Sequence, residues 1–215
     1  MTTLRLVAFV CLSLAASSPV DQPAATATIR VRVCVFNDSQ APVAADRIAA
    51  LLAPVPSEIM GRTGVLLTYR PVRSYHGAVN PLKPELQIAS FNRECAQDCE
   101  MKVLFTNRSR LTNAGVRLSG ESHPLHGYVI LYDSDAGFEA RDLGGNLQVL
   151  TTLRHEIGHL LGADHTTDRS SFMFAEPNLS RGRWTEAVAQ QIRSHRQSLL
   201  DSVFLWQISR AAESW

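Results

Sequence analysis

His155-Glu156-Ile157-Gly158-His159-Leu160-Leu161-Gly162-Ala163-Asp164-His165 places three of the chain's seven histidines at fixed spacing. On a helix, residues four apart lie about 40° apart around the axis and about 6 Å along it, so His155 and His159 share a face and can grip one ion. Glu156 is turned about 100° from His155, beside such an ion rather than on it, where its carboxylate can take a proton from water. Gly162 follows the apolar pair Leu160-Leu161 and can adopt the left-handed conformation that ends a helix. The chain can then reverse and return His165 as a third ligand. Three protein ligands leave the fourth position of a tetrahedral zinc open, as in catalytic rather than closed structural sites. An ordinary surface helix would leave this spacing without a reason.

The pattern H-E-x-x-H-x-x-G-x-x-H resembles the long zinc signature of the metzincin metalloproteases. Met173, in Ser171-Phe172-Met173-Phe174, follows His165 by eight residues, the offset at which matrixins carry the methionine of the tight turn beneath their metal. Thr166 stands next to the third histidine, where matrixins have Ser. Two features depart from matrixins: Phe174-Ala175 replaces Tyr-Pro, and no later Tyr is present that could add a ligand.

The resemblance implies an α/β (α+β) chain with a metzincin-like zincin fold. Its parts would be a twisted, mostly parallel sheet with an antiparallel edge strand, an active-site helix, and a small C-terminal subdomain closed by a helix. It also implies one catalytic Zn2+ on His155, His159 and His165, Glu156 as general base toward a zinc-activated water, and Met173 below the ion without binding it. The implied activity is endopeptidase hydrolysis of a protein or peptide substrate. Two other readings stay open. One is a secreted zinc-binding recognition protein without turnover, against which the intact Glu156 argues. The other is a hydrolase of a non-protein amide, since zinc and a carboxylate serve any hydrolysable amide. In the resembling family the pocket beside the metal is shaped by residues around Asn178 to Trp184; cleavage preference is not legible here.

Length and composition fit one domain: 215 residues, 45% hydrophobic. The formal charge of +1 falls to zero if Arg5 is removed with a leader, so nothing favours nucleic acid or an anionic membrane as partner. Residues 1–18 read as a signal peptide: Arg5, then the apolar run Leu6 to Ala16, with Leu14-Ala15-Ala16-Ser17 supplying small residues for cleavage. The run is about half the ~20 residues of a membrane span, so a secreted or periplasmic protein without a stable membrane anchor is expected. Residues 19–28 read as a flexible leader and 29–215 as the catalytic domain, divided near 162 into N-terminal (29–162) and C-terminal (163–215) subdomains. Oligomeric state is not legible. Cys34, Cys95 and Cys99 remain after the leader. Export permits a disulfide; the four-residue spacing favours Cys95 with Cys99, and Cys34 with one of them is the alternative.

Along the chain, Ile29, Val31, Val33 and Val35 alternate with Arg30, Arg32 and Cys34, which predicts a strand. Val43 to Met60 predicts a helix disturbed by Pro54 and Pro56. Strands are predicted at Val65–Val72, Met101–Thr106 and Gly127–Tyr132, with Ser74–Gln97 left as an unresolved connection. Val116–Ser119 sits where the antiparallel edge strand of the resembling fold would border the cleft and pair with an extended substrate; an ordinary loop is the equal alternative. Asp133, Asp135, Glu139 and Asp142 could hold Ca2+, although a solvated turn is the plainer reading. His123 and His126 read as loop histidines, since the Asp and the spacing of a structural zinc site are missing. Asn146 is expected to cap the helix Leu147–Leu161, whose core face is Leu147, Leu150, Leu153, Ile157 and Leu160. Arg154 reads as a solvated or sheet-packing residue. Thr185 is expected to cap a last helix from Glu186 to about Phe204.

Overall fold

The computed structural model describes residues 28–79, 82–94, 99–111, 119–132, 144–175 and 182–195. The proposed signal peptide, Cys95, Val116 to Leu118, the acidic run Asp133 to Asp142, and the chain beyond His195 lie outside the described residues.

The first strand, β1 (Ile29–Asp38), is the hub of a six-stranded sheet. Two helices follow, α1 (Ala45–Leu52) and α2 (Val55–Thr63), where the sequence suggested one disturbed helix. Pro54 and Pro56 bracket the start of α2; proline is at home in a first turn and blocks continuation of the helix before it. The next strand, β2 (Val65–Tyr69), stops short of Pro71, and the chain pairs again with the far end of β1 as β3 (Arg73–Tyr75). The connection that the sequence left unresolved contains α3 (Pro84–Glu94). Then come β4 (Met101–Thr106), β5 (Gly120–His123), a 3-10 turn (Pro124–His126) and β6 (Tyr128–Tyr132).

The sheet order is β2-β1-β4-β6-β5, with β3 also on β1. All pairs are parallel except β5 with β6. The antiparallel edge strand is therefore Gly120–His123. Of the expected Val116–Ser119, only Ser119 is described, and it lies just before the strand.

Side chains on successive residues of a strand point to opposite faces, and both faces of this sheet are covered. Val31, Val33 and Val35 of β1, Val103 and Phe105 of β4, and Val129 and Leu131 of β6 join one cluster with α1, α2 and the later helix. Cys34, Phe36, Leu104, Tyr128, Ile130 and Tyr132 form a second, more aromatic cluster with Tyr75 and Phe91. Burial on both faces is why β4 and β6 read as unbroken apolar runs. In the second cluster Tyr75 Oη donates to Ser90 Oγ (2.7 Å) and accepts from Gln87 Nε2 (2.7 Å), which fastens α3 to the sheet.

The long helix α4 (Gly144–Leu160) packs on the first face. It starts two residues before Asn146, which therefore lies within its first turn and not at its cap. Val149, Leu153 and Ile157 are fully buried and Leu150 is half-buried against the cluster. Residues 186–195 are helical, starting directly after Thr185 as expected, with Val188, Ala189 and Ile192 buried.

The favoured Cys95–Cys99 pair is not formed; Cys34 is bonded to Cys99, with Cα atoms 5.6 Å apart. Cys34 lies on β1 and Cys99 enters the neighbouring β4, so strand adjacency brings together residues 65 apart in sequence. On chain-entropy grounds, a loop of that length predicts a loss of about 4 kcal/mol when Cys34 and Cys99 are both replaced by Ala. Urea unfolding of the variant beside the oxidised parent measures this.

Candidate active site

The site is assembled at the C-terminal end of α4. Leu161 N–H donates to Ile157 O (3.0 Å), Gly162 N–H to His159 O (3.0 Å) and Ala163 N–H to Gly158 O (2.9 Å). These bonds close the helix in a Schellman turn. Gly162 adopts φ +88° there, a conformation that costs a side-chain-bearing residue. The reversal carries His165 back over the helix. Thr166 N–H then donates to Met173 O (2.9 Å), and Phe172 N–H donates to Arg183 O (3.1 Å), so the methionine segment is strapped beneath the helix end.

His155, His159 and His165 converge. Their Nε2 atoms lie 3.1 Å (155–159), 3.1 Å (159–165) and 3.2 Å (155–165) apart. His155 Nδ1 is 2.6 Å from Phe172 O and His159 Nδ1 is 2.8 Å from Ala163 O. A carbonyl oxygen only accepts, so both Nδ1 atoms must carry the proton, and in the neutral rings both Nε2 atoms present lone pairs. Two lone pairs facing each other at 3.1 Å have no proton to share. The arrangement is unfavourable alone and favourable around a cation. Tetrahedral nitrogen ligands at the zinc distance of about 2.0–2.1 Å stand about 3.3 Å apart, so the three rings fit Zn2+. Among the described residues this is the one group of three such side chains able to hold a metal. Burial, helped by the neighbouring imidazoles and opposed by the bond to Phe172 O, pulls the pKa of His155 down to about 4; burial also lowers that of His165. Both rings are therefore neutral and ready to bind metal at neutral pH.

Glu156 is buried at 9% exposure. Burial pushes its carboxyl above the usual range, opposed chiefly by a hydrogen bond from the Ser122 side chain, with smaller contributions from the Ser122 backbone and His159. A raised pKa suits a group that must accept a proton near neutral pH. Ser122 was not singled out in the sequence. The signal was the alternation of the edge strand, in which Gly120 and Ser122 face α4. A Cβ at position 120 would come within 2.6 Å of Thr152 Cγ2 and 3.4 Å of Glu156 Cγ. On the opposite face Glu121 pairs with Arg110 and accepts a bond from Tyr132 Oη (2.5 Å), while His123 stacks on Tyr128 at 4.6 Å. His123 thus belongs to the edge strand and not to a loop; His126 sits in the 3-10 turn.

Met173 is fully buried. A Cβ on Gly158 would fall 2.3 Å from Met173 Sδ and 3.3 Å from Trp184. The glycine between the two helix histidines is therefore the gap into which the methionine packs. Arg154 is neither solvated nor packed on the sheet: it is buried, paired with Glu58 of α2, and its guanidinium carbon lies over the ring of Phe172. Of the expected pocket segment Asn178 to Trp184, only residues 182–184 are described; Trp184 is buried against Phe172. The acidic residues considered for Ca2+ are outside the described residues.

Residues 87–187 match the family model described as matrixin. No curated protein matches the sequence. Similar solved structures include a zinc-dependent peptidase from Methanocorpusculum labreanum (TM-score 0.52, 17% identity, covering 74% of this chain and 99% of that one). An archaemetzincin from Methanopyrus kandleri aligns with TM-score 0.58 and 14% identity over 79% of this chain and 96% of that one. Metalloproteinase-II from Bacteroides fragilis aligns with TM-score 0.59 and 13% identity over 80% of this chain and 54% of that one. The chain thus resembles matrixins over residues 87–187 and shares the fold of these solved structures, and its three-histidine group is one able to hold a metal.

Two outcomes are expected of the site as built. In the metal-free protein His155 is depressed below its unfolded value near 6.5, so the unfolded chain binds more protons between pH 6.5 and about 4. Stability is then fully present above pH 6.5 and falls as pH drops toward 4; denaturant unfolding of the apoprotein at pH 7.5, 6 and 5 measures the loss. Gly158→Ala should cost about 1–3 kcal/mol through overpacking against Met173, read as a lowered urea midpoint.

Proposed function

We propose that this chain is a secreted zinc-dependent endopeptidase, with residues 1–18 a signal peptide and 29–162 and 163–215 its two subdomains. The observation that carries the proposal is the convergence of the three Nε2 atoms beside the buried Glu156.

Zinc held by His155, His159 and His165 would supply Lewis acidity, polarising a peptide carbonyl and acidifying water. Glu156 takes the proton from the attacking water and passes it to the leaving amine. Ser122 hydrogen-bonds the Glu156 carboxylate and favours its charged form. Met173 supports the ligand helix from below without touching the reacting atoms. The outer edge of β5 has no partner strand among the described residues, and an extended peptide could pair with it by its backbone. That mode favours an unfolded segment of a protein or a peptide over a compact amide.

The test is hydrolysis of a mixed, internally quenched peptide library by the mature chain, with zinc measured in every sample. Glu156→Ala should keep about one zinc and lose activity on the order of 10^3-fold. His159→Ala should lose both. Zinc in wild type and Glu156→Ala with cleavage by neither would turn the reading toward a zinc-binding recognition protein.

A further inference from the structure

We infer that Arg154 is a positioning residue of the metal site, acting through Phe172 on His155. The inference rests on the zinc reading above.

Arg154 is 8% exposed. A buried guanidinium needs partners, and it has one in Glu58 of α2, reached through Nε (2.7 Å to Oε2) and through Nη2 to Oε1. Such a pair gains little over two apolar side chains of similar volume, so stability alone does not call for arginine. The guanidinium carbon of Arg154 lies 4.9 Å from the centroid of the Phe172 ring, over that ring. A cation that grips a carboxylate through two nitrogens while its central carbon sits over an aromatic ring is a geometry lysine cannot copy.

The Phe172 ring is confined on its other sides as well. Trp184 meets it at 5.5 Å and 67°, and a Cβ on Gly182 would come within 2.4 Å of its Cδ1. Confinement of the ring fixes the residue, and its carbonyl is the group that receives the Nδ1 proton of His155 (2.6 Å). Three contacts therefore run from α2 to the first histidine: Glu58 to Arg154, Arg154 to Phe172, and Phe172 to His155. His159 differs, since its carbonyl partner Ala163 belongs to the turn that closes its own helix. The strut from α2 bears on one ligand of the three. Carbonyl partners of ligand histidines fix ring orientation and tautomer, and disturbing them costs metal affinity on the order of 10–100-fold.

The experiment loads the mature chain and its variants with zinc and measures the rate of zinc release to a chromogenic chelator at neutral pH. The absorption spectrum of the Co2+-substituted protein and the melting temperature of the apoprotein are recorded alongside. Arg154→Met should release zinc on the order of 10-fold faster, with an altered Co2+ spectrum. Phe172→Leu keeps the carbonyl and removes the stacking face, and should behave alike. The double variant should release zinc no faster than about either single one, because both cut the same strut. Should Arg154→Met fail to fold, Glu58→Gln keeps shape and loosens the arginine, and should also release zinc faster than wild type. Wild-type release from the foldable variant, with only the melting temperature lowered, would overturn the inference, as would effects of Arg154→Met and Phe172→Leu that multiply. A wild-type chain that binds no zinc would overturn the metal-site reading and this inference with it.

Discussion

Two imidazole Nε2 lone pairs held 3.1 Å apart, with a third ring nitrogen 3.1–3.2 Å from both, form the arrangement on which this structure turns. Left to itself it is repulsive. It persists because the opposite nitrogens of His155 and His159 are tied to carbonyls of Phe172 and Ala163. Each carbonyl belongs to a turn that must itself be held: the Schellman turn after α4 for one, the methionine segment for the other.

The sheet supplies the remaining half of the site. Because β5 is antiparallel and last in order, its Gly120 and Ser122 face α4 while Glu121 and His123 face away. The outward pair is anchored by Arg110, Tyr132 and Tyr128, which holds the strand against the helix. The inward pair leaves room for the helix and gives Glu156 its hydrogen bonds. A carboxylate that is buried yet hydrogen-bonded stays available as a base, whereas a buried and unpaired one would stay protonated.

Much of this was legible in local spacing. The i, i+4 histidines, the helix-ending Gly162, the return of His165 and the eight-residue step to Met173 all act over a turn or two, where backbone geometry alone sets direction. Strand alternation in β1 and the apolar runs of β4 and β6 were equally local. The misses were of another kind. Cys34 with Cys99, Arg154 with Glu58, and Ser122 with Glu156 join residues separated by 34 to 96 positions. The edge strand fell after Val116–Ser119, and α3 was hidden by a Pro- and Asn-rich connection, because weak amphipathic patterns gain their structure from what they pack on.

The sequence by itself determined which three histidines share a face, that Glu156 lies beside them, the parallel α/β core and the turn that ends the helix, since each follows from periodicity within a short stretch. Only the tertiary structure decided which cysteine Cys34 meets, what Arg154 touches, which residues border the cleft and what holds the Glu156 carboxylate. Those outcomes depend on the order β2-β1-β4-β6-β5 and on α4 crossing one face of that sheet. Strand order is set by the burial of two whole faces at once, a sum over distant residues that no local spacing contains.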